Sequence, residues 1–289
     1  MHGIVCVAAI QMVSTADLKT NLLRIEGLVR QAVEKGAHWV VLPENFALMD
    51  GAGSRVLGEK AQWPDSEVRQ WLARLSSAHQ IWIFAGSLPD ARRPDGSLIE
   101  DGRVRSVCRV YGPDGVERAR YDKLHLFDVD VGDAQGRYRE SERFEPGESV
   151  IDIDIQGSHS GGLYRLHVGL TICYDLRFPA LFSHLRARGC DVIVVPAAFT
   201  FETGRHHWET LLRARAIENQ VYIVAPNQGG EHDARRRTWG HSMIIDPWGE
   251  ILDCVTQEGE GIAIATLDAD RLVSIRKAMP LQQHQRPLG

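Results

Sequence analysis

The chain has 289 residues, of which 44% are hydrophobic and 25% are charged, and its formal net charge at pH 7 is −5. This is the composition of an ordinary globular protein, so a disordered or low-complexity chain is excluded. The acidic balance also argues against a general nucleic-acid binder, which would normally be basic.

The cysteines and the N-terminal segment indicate the compartment. The five cysteines are scattered and form no CxxC pair, which favours free thiols in a reducing compartment over a disulfide framework. The first residues, MHGIVCVAAIQMVS, have no basic region before the apolar stretch, and that stretch is too short to span a membrane. We therefore expect a soluble, cytoplasmic protein that binds neither a membrane nor a nucleic acid.

The first third of the chain alternates between two hydrophobic periodicities. Short apolar runs predict buried strands, and amphipathic runs that begin at a capping residue such as Asp17 predict helices. In chain order, the predicted elements are a strand at 4–10, a helix at 17–35, a strand at 38–43, a helix at 66–79 and a strand at 81–88. This alternation predicts an α/β architecture.

The rest of the chain adds two strand pairs and then returns to the alternation. A GPDG turn joins predicted strands at 104–111 and 116–126, and a Gly/Ser loop joins strands at 149–155 and 163–171. The later predicted elements are a helix at 179–188, a strand at 191–197, a helix at 206–219, a strand at 220–227, a hairpin at 241–255, a strand at 261–267 and a helix at 268–277.

No Pro/Gly/Ser-rich linker divides the chain, and the predicted strands are too many for one small sheet. The sequence therefore predicts a single mixed α/β domain over residues 1–289. We expect two sheets packed face to face with helices outside.

One cysteine differs from the other four. Cys173 lies in GLTICYDLRFP (169–179), where an apolar run ends and a helix-start pattern follows at once. At such a junction, backbone N–H groups favour both a thiolate and a developing oxyanion, so Cys173 is a candidate nucleophile. A buried structural thiol is nevertheless the commoner role of a cysteine. That structural role is predicted for Cys6, Cys108, Cys190 and Cys254.

A nucleophilic cysteine needs a general base, and two patterns compete for this role. A Cys–His dyad is one, with the candidates His125, His167, His206, His207 and His241. The other uses Glu44 and Lys123, which stand after strand-like runs, and ligand sites gather at the carboxyl ends of strands in α/β sheets. Taken singly, Glu44 and Lys123 would more commonly be solvated or paired charges.

Several stretches of the chain resemble the nitrilase superfamily of carbon–nitrogen hydrolases. They are VVLPENF around Glu44, YDKLHLFDVD around Lys123, GLTICYDLRFP around Cys173, and the segments at 194–228 and 240–252. These stretches occur along the chain in the same order as in the family, and together they cover nearly the whole chain. The resemblance implies a four-layer α-β-β-α sandwich and a Glu44–Lys123–Cys173 triad. It also implies a homodimer or higher homo-oligomer that packs through helices, including the first helix after the cysteine.

The resemblance further implies a mechanism that uses no metal and no cofactor. Glu44 takes the thiol proton of Cys173 as the sulfur attacks an amide carbon, and Lys123 and a backbone N–H near Tyr174 hold the oxyanion. The resulting thioester is hydrolysed by water that Glu44 activates. The family also has a second glutamate shortly before a Pro-Gly pair, and the similarity of RYRESERFEPGE points to Glu140. Three other glutamates of the same segment could instead be this second glutamate: Glu142, Glu145 and Glu148.

The stretches CYDLRFP, RARAIENQ and GHSMIIDPWG are most similar to the branch that contains deaminated glutathione amidase and ω-amidase. The implied substrate is deaminated glutathione, a small amide with two carboxylates, and the alternative is an ω-amide such as α-ketoglutaramate. Arg177 or an arginine of the basic loop would suit a substrate carboxylate, although solvated loop charges are the simpler interpretation of that loop. The loop arginines are Arg235, Arg236 and Arg237, and the other predicted substrate-binding residues are Tyr174, Phe199 and Thr200.

Two other classes of function stay open at this point. RHHWE (205–209) offers His206, His207 and Glu209 as zinc ligands, but the spacing is not that of an HExxH motif, and a helix start is the simpler interpretation. A hydrolase fold can also persist as a binding or scaffolding module after its site has decayed. The presence of all three triad residues favours an active enzyme.

Overall fold

The computed structural model describes residues 3–51, 53–61, 66–133, 136–159 and 162–286. The helices in these ranges are α1 (Leu18–Glu34), α2 (Gly53–Glu59), α3 (Glu67–His79), α4 (Pro179–Ala187), α5 (Phe201–Asn219), α6 (Ala269–Ala278) and α7 (Leu281–His284). The first strands are β1 (Ile4–Gln11), β2 (Trp39–Val41), β3 (Trp82–Phe84), β4 (Leu88–Asp90), β5 (Arg105–Tyr111), β6 (Glu117–Asp122), β7 (Asp128–Asp130) and β8 (Arg137–Arg139). The later strands are β9 (Asp152–His159), β10 (Gly162–Leu170), β11 (Val192–Val194), β12 (Tyr222–Ala225), β13 (Gly229–Glu231), β14 (Arg237–Trp239), β15 (Met243–Ile245), β16 (Ile251–Cys254) and β17 (Gly261–Asp268).

Two large sheets carry most of these strands. The first has the order β17-β1-β2-β3-β5-β4, and β6 also pairs with β5. The second has the order β16-β15-β12-β11-β10-β9. Both sheets are mixed, since β1 runs parallel to β2 and antiparallel to β17, and β10 runs parallel to β11 and antiparallel to β9. The two mixed sheets predicted from the sequence are confirmed.

Side-chain alternation along β1 and β10 shows how the layers stack. Val7 packs in a core shared with Val168 of the second sheet, whereas Ile10 packs in a separate core with residues of α1 and α3. On β10, Gly169 faces away from the first sheet, and a Cβ there would lie 2.9 Å from Leu185 of α4. Because successive side chains of a strand point to opposite faces, helices cover the outer face of each sheet. The four-layer α-β-β-α sandwich is thus confirmed.

The cap residues explain where the helices begin. Asp17 accepts a hydrogen bond from the N–H of Thr20 at 2.7 Å and starts α1, as predicted. The helix predicted at 206–219 begins earlier, at Phe201, because the Thr200 side chain caps it. The prediction that His206 lies at a helix start was therefore wrong. None of the helices in the described ranges is long and apolar enough to cross a membrane.

The strand predicted at 81–88 is interrupted in the structure. β3 ends at Phe84, and the chain then turns at Gly86 with φ +27. A Cβ on Gly86 would lie 1.9 Å from the carbonyl oxygen of Pro43, so only glycine fits there. This close approach brings the segment after β3 against the segment after β2. The strand predicted at 116–126 also ends early, at Asp122.

A buried hydrogen bond joins the two sheets directly. Nε1 of Trp39 on β2 donates to the hydroxyl of Tyr164 on β10 at 3.0 Å, and Trp39 is fully buried. Tyr164→Phe keeps the ring but removes this acceptor, so the indole N–H loses its partner. We expect a loss of about 1–3 kcal/mol in the free energy of unfolding, measured by urea denaturation. Leu163→Ala, at a side chain that is 77% exposed, is the control. An equal loss in both variants would contradict the proposed role of the hydrogen bond.

Candidate active site

Three charged or nucleophilic side chains meet where the two sheets face each other. Glu44 follows β2, Lys123 follows β6 and Cys173 follows β10. Their exposed fractions are 5%, 2% and 7%, respectively, and all three line one pocket. The structure therefore brings together residues that are far apart in the sequence, as strand ends of an α/β fold can do.

The turn after β2 positions Glu44. Its carbonyl oxygen accepts a hydrogen bond from Nε2 of Gln228 at 3.0 Å. Asn45 follows with φ 57, a left-handed conformation that asparagine adopts more readily than most residues. The N–H of Asn45 donates to Oγ of Ser87 at 2.9 Å. The carboxylate of Glu44 is thereby placed 2.8 Å from Nζ of Lys123.

The ammonium of Lys123 lies between two carboxylates. Nζ donates to Oε1 of Glu44 and to Oε1 of Glu140, each at 2.8 Å. The backbone is fixed as well, since the N–H of Lys123 donates to the oxygen of Ser106 and its own oxygen accepts from Gly147. Burial alone would lower the pKa of Lys123, but the carboxylates of Glu140 and Glu44 raise it well above its ordinary value. Lys123 is therefore a permanent cation at neutral pH.

Glu140 is the member of its glutamate-rich segment that reaches Lys123. Its Oε2 accepts a hydrogen bond from the N–H of Phe127 at 2.7 Å. Burial raises the pKa of Glu140, Lys123 opposes this, and the nearby Glu44 carboxylate raises it further. Glu145, by contrast, pairs with two arginines that do not line the pocket. The geometry thus distinguishes between the glutamates that the sequence left open.

Cys173 stands at the start of a short 3-10 helix in a strained backbone conformation. Its φ is +49, and its N–H donates to the oxygen of Pro196 at 2.8 Å. A positive φ is uncommon for a residue other than glycine and is often found at functional sites. Burial and the adjacent Glu44 carboxylate raise the pKa of the Cys173 thiol well above its ordinary value, against the opposing effect of Lys123. The resting group is therefore a thiol with a carboxylate beside it.

A buried aspartate, Asp175, holds this helix against the first sheet. Its carboxylate accepts hydrogen bonds from the N–H of Ile172 at 2.9 Å and from the hydroxyl of Tyr121 at 2.6 Å. It also accepts from the N–H of His125 at 3.1 Å, and Nδ1 of His125 lies at 2.7 Å. His125 is thus a partner of Asp175, and the residue facing the Cys173 thiol is Glu44. Asp175 was not predicted from the sequence, although an acid two residues after the cysteine was a usable signal.

All four residues predicted to bind substrate line the pocket: Tyr174, Arg177, Phe199 and Thr200. The hydroxyl of Thr200 is engaged in capping α5. The guanidinium of Arg177 lies 5.3 Å from the ring centre of Phe199, and its Nη1 is 3.2 Å from Nδ1 of His207. Much of the apolar wall was not predicted, because isolated apolar residues carry no signal in a sequence. The wall residues concerned are Leu48, Phe127, Tyr138 and Phe144.

The three loop arginines have different surroundings. Arg235 is exposed, and Arg237 stacks over Phe201 at 3.9 Å and pairs with Glu258. Arg236 lines the pocket. Of the three, only Arg236 is placed to meet a substrate.

The possible zinc ligands of RHHWE lie inside α5, and each has another partner. Nε2 of His206 is 3.2 Å from Arg205, Nδ1 of His207 faces Arg177, and Glu209 pairs with Arg213 at 3.3 Å. Elsewhere in the described ranges, potential ligand atoms come within 4.8 Å of one another in a group at the edge of the second sheet: Asp152, His167 and Cys190. In that group, His167 already contacts Asp152 and Asp154.

The family model for carbon-nitrogen hydrolases matches residues 6–277. A fold of two facing sheets with a buried Glu, Lys and Cys at their meeting point agrees with this match. The chain belongs to the carbon–nitrogen hydrolase family, and the resemblance to the nitrilase superfamily is confirmed.

Similar proteins cover almost the full chain. A deaminated glutathione amidase of Synechocystis is 42% identical over 278 residues, which are 96% of this chain and 97% of the relative. The omega-amidase of Homo sapiens is 34% identical over 279 residues, 96% of this chain and 94% of the relative. The crystal structure of the C. elegans NitFhit protein superposes with a TM-score of 0.84 at 35% identity, over 99% of this chain and 66% of that one.

The basic loop is anchored by a histidine that is predicted to make the fold acid-sensitive. Nδ1 of His232 is 2.8 Å from the oxygen of Ser14, and Nε2 is 2.7 Å from Oγ1 of Thr238. Burial lowers the pKa of His232 from 6.5 to about 4. Between these pH values the unfolded chain binds the proton and the folded chain does not, so stability is lost as the pH falls from 6.5 to about 4.

His232→Asn should therefore flatten the pH dependence of the urea midpoint in this window. His284→Asn, at an exposed position of α7, is the matched control and should follow the unmodified protein. If the urea midpoint depends on pH with the same slope in the unmodified protein and in both variants, His232 is not buried as a neutral ring.

Proposed function

We propose that this chain is an amidase that hydrolyses deaminated glutathione through a thioester on Cys173. The observation that carries the proposal is the buried Lys123 ammonium, held between Glu44 and Glu140 at 2.8 Å from each, beside the thiol of Cys173. A nucleophile, a base and a fixed cation at buried positions of one pocket are what acyl transfer from an amide requires.

The first step is attack on the amide carbon. Because the pKa of the Cys173 thiol is raised, the thiolate forms only as Glu44 takes its proton during attack. The sulfur–carbon bond forms and the carbonyl electrons move onto oxygen. The ammonium of Lys123 faces this oxyanion, and so does the N–H of Tyr174, which lies in the first turn of the 3-10 helix and has no acceptor within it.

The second step releases the amine and then the acid. Glu44 returns its proton to the leaving nitrogen as the carbon–nitrogen bond breaks, which leaves the acyl group on Cys173 as a thioester. Water then attacks the thioester carbon while Glu44 takes a proton from it. The carbon–sulfur bond breaks, the carboxylic acid leaves, and the thiol regains its proton from Glu44. Water is the only co-reactant, and the products are the carboxylic acid and the amine.

The role of Glu140 follows from its contact with Lys123. An ammonium paired with Glu44 alone would hold that carboxylate in a tight ion pair and make it a weaker base. Because Nζ also donates to Glu140 at 2.8 Å, its charge is shared between two carboxylates. Glu140 is therefore a positioning residue that keeps Lys123 in place while Glu44 moves protons.

Two observations support deaminated glutathione as the substrate. The Synechocystis relative at 42% identity carries that activity in its name, and the human relative named as an omega-amidase is 34% identical. In addition, Arg177 lies four residues after Cys173, lines the pocket and pairs with no carboxylate of the described residues. A guanidinium in that setting suits the carboxylate of the acyl part of the substrate.

Removal of a triad residue tests the mechanism. We expect Cys173→Ser to lower kcat/KM at least about 1,000-fold, and Lys123→Ala about 100-fold or more, because each loses an interaction made with the reacting atoms. Cys254→Ser, at a half-buried cysteine outside the pocket, is the control. Circular dichroism of each variant separates loss of activity from loss of fold.

Retention of most activity in Cys173→Ser or Lys123→Ala would overturn the mechanism. Thiol alkylation distinguishes an enzyme from a decayed scaffold. In an enzyme, a substrate analogue protects Cys173 from the reagent, whereas a scaffold shows no protected and reactive thiol.

Substrate preference is tested by comparing kcat/KM for deaminated glutathione and for α-ketoglutaramate with the same enzyme preparation. We expect the first substrate to be preferred. A clear preference for α-ketoglutaramate would assign the chain to the ω-amidase activity and leave the mechanism intact.

A further inference from the structure

The pocket carries more positive charge than the reaction at Cys173 requires. Four arginines line it in addition to Lys123: Arg139, Arg143, Arg177 and Arg236. Arg139 is committed to the protein, since its Nη2 pairs with Asp130 at 3.0 Å and its Nη1 donates to two backbone oxygens. Arg177 is assigned above to the acyl part of the substrate. Arg143 and Arg236 remain without a role.

Neither of these two arginines forms an ion pair within the part of the chain that the structure describes. Most other pocket charges do have such partners, as the Lys123 and Arg139 pairs show. Unpaired guanidinium groups that face a pocket are available to an anionic ligand, and a planar guanidinium binds a carboxylate with two parallel hydrogen bonds.

Arg143 is held at the pocket wall by its neighbours. Its N–H donates to the oxygen of Glu140 at 3.0 Å, so its position follows that of the catalytic cluster. Its Nη1 lies against Gly51, where a Cβ would be only 1.9 Å away. Any residue larger than glycine at position 51 would therefore displace the guanidinium, and Gly51 itself lines the pocket.

Arg236 reaches the pocket from the loop between β13 and β14. Oδ1 of Asp233 accepts hydrogen bonds from the N–H groups of Arg235 at 2.7 Å and Arg236 at 2.9 Å, and the oxygen of Arg236 accepts from His232. Tyr138, on the segment that carries Glu140, lines the same pocket as Arg236. Arg143 lies on that same segment.

The two candidate substrates differ in what leaves the enzyme. α-Ketoglutaramate releases ammonia, which has no carboxylate. Deaminated glutathione releases cysteinylglycine, whose carboxylate lies at most about 7 Å from the scissile nitrogen, because two residues intervene. We infer that Arg143 and Arg236 form a subsite for this leaving-group carboxylate. The inference rests on the proposed function and names the part of the substrate that the subsite selects.

The test compares the Arg143→Gln/Arg236→Gln double variant with the unmodified enzyme on three substrates. They are deaminated glutathione, its analogue with the glycine carboxylate converted to an N-methylamide, and α-ketoglutaramate. We expect the double variant to lower the ratio of kcat/KM for deaminated glutathione to that for α-ketoglutaramate about tenfold or more, mainly through KM. The kcat/KM of the unmodified enzyme should fall by a similar factor when the N-methylamide replaces deaminated glutathione. The double variant should have the same kcat/KM for both compounds.

Arg235→Gln is the matched control, since Arg235 neighbours Arg236 on the loop but is exposed to solvent. It should keep the substrate ratio of the unmodified enzyme. An unchanged ratio in the double variant, or an equal loss on both substrates, would overturn the subsite while leaving the proposed function in place. If the unmodified enzyme cleaves no deaminated glutathione, the proposed function fails instead.

Discussion

The site depends on the buried ammonium of Lys123. A charge with 2% of its side chain exposed is costly unless it is paired and hydrogen-bonded, and here Glu44 and Glu140 supply both conditions. The partners come from different places, the turn after β2 and the segment after β8. Loss of either carboxylate would remove one of the two hydrogen-bonded partners of this buried ammonium. The charge cluster therefore fixes the geometry of the site and the packing of the segments that build it.

Asp175 performs the corresponding task for Cys173, the proposed nucleophile. Cys173 follows β10 of the second sheet, whereas Lys123 follows β6 of the first, so something must set the distance between them. Asp175 does so by binding the N–H of Ile172, just before the nucleophile, and Tyr121 and His125 on either side of Lys123. These hydrogen bonds also support the positive φ of Cys173, which would otherwise be unfavourable.

The layers of the fold could be predicted from the sequence because their signals are local, whereas the triad of Glu44, Lys123 and Cys173 was implied by the resemblance to the nitrilase superfamily. The apolar runs before Glu44 and Cys173 mark strands, and a capping residue such as Asp17 marks a helix start. The early start of α5 was missed because the capping role of Thr200 is visible only in its side-chain geometry. The break after β3 was missed because Gly86 is needed for a contact with a distant segment.

The polar partners of the site were also harder to predict, because they too depend on contacts between distant segments of the chain. The family resemblance pointed to Glu140, but the residue pattern alone does not say which of four glutamates faces Lys123, since that choice depends on the turn after β8. Arg143 was not considered, because an arginine among alternating charges resembles a solvated surface, and only the fold shows Gly51 making room for it. Local patterns identify elements and motifs, whereas the pairing of buried charges depends on tertiary contacts.

The distribution of charge in the pocket connects catalysis with substrate choice. Burial and the negative charge of the Glu44 carboxylate raise the pKa of the Cys173 thiol, which keeps the thiol protonated until the proposed proton transfer to Glu44. The same charge repels an anionic substrate. In the proposed subsite, the arginines on the pocket wall offset this repulsion where a substrate carboxylate can reach them. A short neutral amide would gain nothing from these arginines, so the proposed subsite favours substrates whose negative charges lie away from the scissile bond.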